Sequence, residues 1–501
     1  MKFTELSAYD LPGGTVIEWS ALTELAPRHW SADFRPLTYE HEELVTRAAE
    51  AESQGRRQTD WLGAVFEISG VLDQDAMART LLAWTARHEA FHTTVTMDSA
   101  GDNTFRPVRR TCTPEMLAMR RSHHGHIDRK DIVSHLVDTF DSRISPLGWP
   151  HCAVMTVSDT GDEPGRQDRF HVVFAADHTV MDAYSLLLSI NELQLIYESE
   201  VARQPVTAPA VGSHVDFSSG NRRAGEQLDG DHSAVAQWRT FLAASADRFP
   251  QLGMPLAETL SAVDASKPID QLQSGWADVV ATADEVAALD SACRAVGHSV
   301  QTAIVTALAI AHHELTGNPR FRAVMPMHTR HEPRFMESVG WYVGLGPLDV
   351  DLSTSTTISE ALEAAATGTR TAKKLSRLPF PRIAHLLGID HEPTFVVSYL
   401  DLRVVPGATQ WSDWRAQTVR SATRSDSEVY LWIARTPTGI TVSARHPGTE
   451  AAAAGVRRLI DMTFSVIVSV TDSVNVSVTD SGTGQPLTIE PLSGRDERRP
   501  A

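Results

Sequence analysis

Cysteine is scarce in this chain of 501 residues. Three cysteines occur, Cys112, Cys152 and Cys293, and no two of them are close enough for a C-x-x-C motif. Disulfide-stabilised secreted domains are much richer in cysteine, and zinc fingers need ligands at short, fixed spacings. The scarcity therefore excludes a disulfide framework and a cysteine zinc finger, and it favours a reducing compartment.

Long apolar runs and an excess of positive charge are missing as well. The start, "MKFTELSAYDLPGG", has no apolar core of a signal peptide, and the stretch "AIVTALAIA" is too short to span a bilayer. The formal net charge is −18, whereas nucleic-acid binding needs a basic surface that neutralises phosphates. We therefore expect a cytoplasmic protein with no integral membrane segment and no nucleic-acid partner.

The length predicts more than one domain, because single hydrophobic cores stop growing at about 250–300 residues. Between Val201 and His232 the chain is rich in Pro, Gly, Ser and Ala without periodicity, which is typical of a linker. We predict an N-terminal lobe at residues 1–205, a linker at 206–232, a C-terminal lobe at 233–480 and a flexible tail at 481–501.

Both halves alternate strand-like and helix-like segments, so the expected fold class is α/β. The runs "HCAVMTVSD" and "RFHVVFAAD" predict an antiparallel pair of strands, and "AYSLLLSINELQLIYESE" predicts the following helix. In the second half, Thr282 and Glu285 match a capping box at a helix start. Gly317 closes the apolar helix of "SVQTAIVTALAIAHHELTG".

One motif suggests a metallopeptidase: His88, Glu89 and His92 have the His-Glu-x-x-His spacing of a zinc helix. Such a site needs both histidines on one continuous helix. The predicted helix runs from Leu72 to about Glu89, and the β-branched run "TTVTM" that follows His92 favours a strand. We therefore reject the zinc hydrolase and expect no metal site.

A base with a nearby carboxylate is suggested by the pattern His-x-x-x-Asp. It occurs at His29/Asp33, His124/Asp128 and His178/Asp182. No regular element precedes His29, and the charged segment "RRSHHGHIDRKD" around His124 predicts a solvated helix or loop. His178 differs, because it directly follows a buried strand and directly precedes a long apolar helix.

A strand-to-helix turn holds a side chain rigidly over a cleft, as a general base requires. Asp182 stands at the helix start, three residues before Ser185, where a carboxylate accepts backbone N–H bonds. On the pattern alone, Asp182 could merely cap this helix and His178 could be an ordinary loop histidine. No other nucleophile is predicted, since "GHSVQ" misses the G-x-S-x-G elbow by its last residue.

The segment "DHTVMDAYS" resembles the His-His-x-x-x-Asp-Gly-x-Ser signature of the condensation-domain superfamily, which is related to chloramphenicol acetyltransferase. The similarity extends to the stand-alone polyketide-associated acyltransferases of actinobacteria. Further segments resemble the family in the same order, over roughly residues 40–475. They are "LDQDAMARTLLAWTARHEAFHTTV", "FRAVMPMHTR", "SVGWYVGLGPLDVDL", "TFVVSYLDLRVVPG" and "EVYLWIARTPTGITVSARHP".

The resemblance implies two chloramphenicol-acetyltransferase-like lobes in a V-shaped pseudo-dimer, with a tunnel between them. It implies that His178 is the catalytic base and that Asp182 is a structural aspartate paired with Arg330. Two residues depart from the signature, since Asp177 replaces its first histidine and Ala183 its glycine. The supporting residues are Arg330, Asp177 and Ser185, and the expected tunnel residues are Ala183, Gly340, Trp341 and Ser398.

The implied activity is acyl transfer to a hydroxyl, or less readily to an amine, in specialised-metabolite or lipid biosynthesis. The acyl group would arrive as a thioester, on the phosphopantetheine arm of an acyl or peptidyl carrier protein or on coenzyme A, and no other cofactor is expected. The cations Lys373, Lys374 and Arg377 are a candidate dock for an acidic carrier, and the alternative is an ordinary solvated helix face. The alternatives are a non-catalytic docking module of the same fold and an amide-forming stand-alone condensation enzyme.

Overall fold

The computed structural model describes residues 1–23, 30–57, 60–101, 104–158, 168–206, 209–256 and 271–479. In chain order, the first part forms β1 Phe3–Glu5, β2 Gly14–Thr23, β3 Ser31–Asp33, α1 Tyr39–Ser53, β4 Trp61–Ser69, α2 Gln74–Arg87, β5 Thr93–Gly101, β6 Thr104–Thr111, β7 Leu117–Ile127, α3 Arg129–Arg143, β8 Cys152–Ser158, β9 Arg169–Asp177, α4 Ala183–Val201 and α5 His214–Glu226.

The remainder forms α6 Ser233–Ala243, β10 Gln273–Thr282, α7 Ala283–Ala295, α8 Val300–Thr316, β11 Arg320–His328, β12 Val343–Asp351, α9 Ile358–Leu375, α10 Phe380–Leu387, β13 Phe395–Asp401, β14 Gln417–Arg420, β15 Val429–Thr436, β16 Gly439–Pro447 and α11 Glu450–Thr479. This is the mixed α/β class that the alternation of segments predicted.

The strands form two large sheets and one small one. The seven-stranded sheet has the order β1-β14-β4-β9-β8-β2-β7, and the six-stranded sheet has the order β10-β16-β15-β13-β11-β12. A three-stranded sheet, β3-β6-β5, accompanies the first. Because β14 comes from the second half of the chain and lies between β1 and β4, the two halves share a sheet.

Helices cover each large sheet and pack against the apolar side chains that alternate between its two faces. Alternate residues of β9 enter different cores, with Phe174 packed among residues of α2 and α4 and Val173 packed with α3. In the six-stranded sheet, one face packs on α7, α8, α9 and α11. The end of β9 is therefore a rigid position, buried on both faces, from which α4 begins.

Several local predictions are confirmed. β8 and β9 pair antiparallel, and α2 ends at Arg87, two residues before the predicted end. Thr282 and Glu285 form the capping box of α7. Gly317 follows α8 with φ of 73°, a left-handed conformation that glycine adopts without a steric penalty.

The predicted linker contains regular structure at residues 214–226. Helix α5 lies there, and its N-terminus is capped by Ser213, whose Oγ accepts hydrogen bonds from the backbone N–H groups of Val215 and Asp216. His214 and Val215 are buried, so tertiary packing stabilises a helix that composition alone did not indicate. The domain boundaries stay a prediction, and the predicted tail at 481–501 and His29 lie outside the described residues.

Among the described residues, no single helix has the length and apolar character of a membrane span. The bent pair α7 and α8, at 96° to each other, meets that criterion only when its two helices are taken together.

Candidate active site

The turn between β9 and α4 is held at both ends by its own carboxylates. Asp177, the last residue of β9, accepts a hydrogen bond on Oδ1 from the backbone N–H of Thr179 at 2.7 Å. Asp182 accepts one from the backbone N–H of Ser185 at 2.7 Å, as an N-terminal helix cap. His178 lies between these two fixed points, so its backbone has little freedom.

Asp182 and Arg330 form a buried, bidentate ion pair. Nη1 of Arg330 donates to Oδ2 of Asp182 at 2.8 Å, and Nη2 donates to Oδ1 at 3.1 Å. Each side chain is 1% exposed. Burial alone would raise the pKa of Asp182, but the charge and hydrogen bonds of Arg330 outweigh it and hold the pKa below its ordinary value. The predicted pairing of these two residues is confirmed.

Ser185 fastens the 338–342 loop of the second half to α4. Its Oγ accepts hydrogen bonds from Nη2 of Arg330 at 2.7 Å and from the backbone N–H of Gly340 at 3.1 Å. The same hydroxyl donates to the carbonyl oxygen of Gly340 at 2.9 Å. The backbone N–H of Tyr342 donates to Asp182 Oδ2 at 2.9 Å. The loop is therefore positioned by Asp182 at the end of the turn and by Ser185 of α4.

His214 fixes the next part of the 338–342 loop from α5. A Cβ on Gly340 would lie 2.5 Å from Cγ of His214, so only glycine allows this approach. Nε2 of His214 donates to the carbonyl oxygen of Trp341 at 2.9 Å. Burial, followed by the charge of Arg109, lowers the pKa of His214 to about 4, so the ring is neutral at pH 7. The backbone of Trp341 is thus held while its side chain is left to face the turn.

Trp341 packs edge-to-face on His178, with ring centroids 5.0 Å apart and an interplanar angle of 82°. Nδ1 of His178 is buried and has no hydrogen-bond partner among the described residues. The side chain is still 26% exposed. Nε2 is therefore the nitrogen of His178 through which the ring can reach a substrate.

Asp60 lies opposite this nitrogen, with Oδ1 at 3.5 Å from His178 Nε2. Burial alone would lower the pKa of His178, but the carboxylates of Asp60 and Asp177 outweigh it and raise the pKa above its ordinary 6.5. Arg445 acts in the opposite direction and limits the rise. The site thus holds a histidine whose basicity is increased by two acidic neighbours.

The sequence reasoning missed Asp60. It immediately precedes β4, which pairs antiparallel with β9 so that Trp61 stands opposite Asp177. This register brings residue 60 beside residue 178, although they are 118 positions apart in the sequence. The only local signal is a carboxylate directly before a buried strand.

The remaining predicted residues lie further from the base. Ala183 is the half-buried first residue of α4. Ser398 on β13 is 5% exposed and pairs with Trp432 of β15, and within the described residues no hydrogen bond or ring contact joins it to His178. The docking candidates Lys373, Lys374 and Arg377 are exposed at the C-terminal end of α9 and just beyond it. The structure thus gathers His178, Asp182, Arg330, Ser185, Asp177, Gly340 and Trp341, but not Ser398 or the docking residues.

The His-Glu-x-x-His motif is divided among separate partners. His88 donates from Nε2 to Glu192 at 2.6 Å and accepts on Nδ1 from the backbone N–H of Val339 at 3.4 Å. His92 donates from Nδ1 to the carbonyl oxygen of Cys112 at 2.8 Å, and Glu89 binds Arg35. Because α2 ends at Arg87, the two histidines do not share a helix and the condition for a zinc helix fails.

The prediction for His124 is wrong in its secondary structure. The segment around it is not a solvated helix or loop but part of β7, which pairs along its length with β2. Its alternating exposed side chains belong to an outermost strand of the sheet, which explains the polar composition. Nε2 of His124 lies 3.1 Å from Glu18 Oε2, and its Nδ1 lies 3.0 Å from Nε2 of His135.

Comparison with known proteins identifies the family. Residues 57–429 match the family model described as "Condensation domain", and the chain belongs to that family. Among characterised relatives, Acyltransferase PapA3 of Mycobacterium tuberculosis is 24% identical over 470 residues, covering 91% of this chain and 94% of the relative. The 2'-acyl-2-O-sulfo-trehalose (hydroxy)phthioceranyltransferase PapA1 of the same species is 24% identical over 412 residues, covering 80% and 76%.

Solved structures show the same fold. The PapA2 acyl transferase superposes with a TM-score of 0.80 at 20% identity, covering 94% of this chain and 100% of that one. The condensation domain of the monacolin K polyketide synthase MokA gives a TM-score of 0.67 at 16% identity, covering 88% and 98%. The predicted family and fold class are confirmed, and the chain is an acyltransferase. The V shape, the tunnel and the roles of individual residues stay predictions.

Proposed function

We propose that this enzyme transfers an acyl group from a thioester to a hydroxyl group, with His178 as general base. The proposal rests on the difference between two side chains of the turn, Asp182 and His178. Asp182 is fully engaged with Arg330, whereas the side chain of His178 is partly exposed and the carboxylate opposite its Nε2, that of Asp60, lies 3.5 Å away. A positioned imidazole with one accessible nitrogen is the group that proton abstraction needs.

The chemistry requires one base and no covalent enzyme intermediate. The acceptor hydroxyl gives its proton to Nε2 of His178 while its oxygen attacks the thioester carbonyl carbon and forms the new C–O bond. The tetrahedral intermediate then breaks the C–S bond. The leaving thiolate takes the proton back from the imidazolium, which regenerates neutral His178.

The departures from the family signature fit this assignment. Asp177, in place of the first histidine, is 2% exposed and bonds to the turn through Thr179. Burial raises its pKa, yet its charge still supports protonation of His178. We therefore assign Asp177 to holding the turn and increasing the basicity of the base, and not to direct contact with substrate.

The acceptor that we propose is a hydroxyl-bearing molecule of the sugar or lipid class. The support is indirect, since PapA1 and PapA2 are named for transfer to sulfated trehalose. The enzyme would then act in lipid or specialised-metabolite assembly. An amine acceptor is the second candidate, because a neutral imidazole can also accept a proton from an attacking amine.

For the donor, we propose a thioester on coenzyme A or on a carrier protein that docks on Lys373, Lys374 and Arg377. These three side chains are exposed and form no ion pair within the described part of the chain. Burial, followed by the charges of Arg377 and Lys373, lowers the pKa of the neighbouring His331. An acidic carrier would be attracted to such a surface.

The deciding experiment for the base compares His178→Ala with His92→Ala in acyl transfer from an acyl-CoA to an alcohol. We expect kcat to fall by about 10²–10⁴ in the first variant, the usual contribution of a general base, and to stay near wild type in the second. Full activity in folded His178→Ala would refute the general-base role of this residue.

The donor is tested by replacing Lys373, Lys374 and Arg377 with Glu. KM for a carrier-bound donor should rise and lose its dependence on salt, while turnover of a small thioester stays constant. The matched control reverses three exposed cations of the first half, Arg57, Lys130 and Arg203. Unchanged kinetics with carrier donors across a salt series would rule out this surface and favour coenzyme A.

A further inference from the structure

Asp60 is, with Asp177, one of two carboxylates near His178. Its distance from the imidazole differs from that of a residue that only orients the ring. The 3.5 Å from Oδ1 to Nε2 is longer than the roughly 2.7–2.9 Å of a charge-assisted N–H···O bond. The Asp60 side chain is 48% exposed. His178 is already fixed by the turn and by Trp341, so Asp60 is not needed to hold the ring.

Asp60 lies beside the route by which the acceptor must reach His178. Nδ1 of His178 is buried, so the acceptor hydroxyl must come to Nε2, within about 2.6–3.2 Å for proton transfer. That places the acceptor oxygen close to Oδ1 of Asp60. A bare carboxylate beside an oxygen that is gaining negative charge would raise the energy of the transition state. A hydrogen-bond donor on the carboxylate removes this penalty.

The carboxylate is ionised throughout the working pH range. Burial alone would raise the pKa of Asp60, but His178, Arg445 and Arg47 lower it to about 2. Arg420, on the adjacent strand β14, also faces Asp60. An ionised carboxylate only accepts hydrogen bonds. The group that it recognises on the acceptor must therefore be a donor.

The backbone at Asp60 is anchored. Its neighbour Trp61 is buried and lies opposite Asp177 in the sheet. The backbone N–H of Ser421 donates to the carbonyl oxygen of Trp61 at 3.0 Å. The N–H of Trp61 donates to Oγ of Ser421 at 3.3 Å. Residue 60 thus presents its carboxylate from the start of a buried, anchored strand.

We infer that Asp60 is an acceptor-binding residue that accepts a hydrogen bond from a second hydroxyl, adjacent to the one that His178 deprotonates. The acceptor class that this geometry selects is the vicinal diol, as found on a pyranose ring. The inference rests on the proposed function and adds a specificity determinant to it.

The test uses the full chain with one acyl-CoA and two acceptors, trans-1,2-cyclohexanediol and cyclohexanol. Asp60→Ala should lower kcat/KM for the diol by about 10–100-fold, the effect of one lost hydrogen bond to a charged group. Because Asp60 also raises the pKa of His178, its loss changes the basicity of the site for both acceptors alike, so the ratio of kcat/KM for the diol to that for cyclohexanol should fall by about 10-fold or more. Asp60→Asn keeps one accepting oxygen and should lose less. The matched control is Asp138→Ala, an exposed carboxylate on α3, with no selective loss.

Equal losses for both acceptors, or no loss with the diol, would overturn the inference. If neither small acceptor turns over, binding of the diol to wild type and to Asp60→Ala is compared by saturation-transfer NMR. Loss of the diol signal in the variant supports the inference, and an equal signal overturns it. Failure of the proposed function is distinguishable, because then His178→Ala retains transfer to both acceptors whatever Asp60 does.

Discussion

The segment 88–92 and the turn 177–182 both carry a histidine motif near the same loop of the second half, yet the histidines of the first are buried and His178 of the second is partly exposed. In the first, His88 uses both ring nitrogens, one toward Glu192 and one toward the backbone of Val339. In the second, Nε2 of His178 has only Asp60 opposite it, at 3.5 Å. The comparison teaches that a histidine can act as a base where its surroundings leave one ring nitrogen exposed and without a hydrogen bond.

The two regions also differ in how they fix the 338–342 loop. Asp182 does so as part of a buried ion pair with Arg330, and His88 does so as a hydrogen-bond acceptor. Breaking a buried ion pair leaves an uncompensated charge, whereas losing a hydrogen-bond acceptor leaves one unsatisfied group. The turn should therefore be more sensitive to substitution than the 88–92 segment.

The largest stability effect is expected for Asp182→Ala. It leaves Arg330 buried without its partner, which should lower the free energy of unfolding by roughly 3–5 kcal/mol, and it should lower kcat as the loop shifts. Because the pKa of Asp182 is lowered on folding, its contribution is present above about pH 4 and is lost as the pH falls further. Urea unfolding at pH 7 and pH 3 measures both effects, and equal stabilities at pH 7 would contradict the pairing.

A smaller loss is expected for His88→Ala. Glu192 keeps Arg87 as a partner at 3.0 Å, while the backbone N–H of Val339 loses its acceptor. We expect unfolding to become easier by about 1–3 kcal/mol, with the pH dependence of the reaction unchanged. Thermal unfolding and a pH–rate profile of the variant check this. A drop in kcat as large as that of His178→Ala, without loss of stability, would make His88 a participant in the chemistry.

Trp341→Ala should act on rate more than on stability, because the indole is only half-buried. Its edge-to-face contact with His178 is of a kind that contributes about 0.5–1.5 kcal/mol, so kcat should fall by about 2–10-fold. Trp341→Phe retains an aromatic contact and should recover most of the rate. Equal kcat values for wild type and the alanine variant would show that the ring contact does not position the base.

The smallest effect is expected for His124→Ala. Glu18 keeps Arg143 as an ion-pair partner at 3.2 Å, so its buried carboxylate is not left without a cation. Steady-state assays should give kcat within about twofold of wild type. A large loss of activity would mean that this second His-x-x-x-Asp motif had been dismissed wrongly.

What the sequence predicted well was local or depended on family motifs. The cap at Thr282 and the end of α8 at Gly317 follow from neighbouring residues alone. The break after α2 was predicted from the β-branched run behind His92. Arg330 lies 148 positions from Asp182, and only the resemblance to a family made that pairing predictable.

What the sequence did not predict depends on contacts between distant segments. Asp60 reaches His178 through the register of β4 on β9. The placement of β14 between β1 and β4 joins residues from opposite ends of the chain. Helix α5 and the strand that holds His124 owe their form to packing and pairing partners elsewhere, so composition favoured a linker and a solvated segment instead.

The most direct test of the central claim, that neutral His178 is the base, is the pH dependence of kcat/KM for wild type and Asp60→Asn. Because Asp60 and Asp177 raise the pKa of His178, we predict that wild-type kcat/KM increases with pH through an apparent pKa above 6.5. Removing the charge of Asp60 should move this limb to lower pH. A wild-type profile that is flat between about pH 5 and 9, or a limb that stays in place in the variant, would contradict the claim.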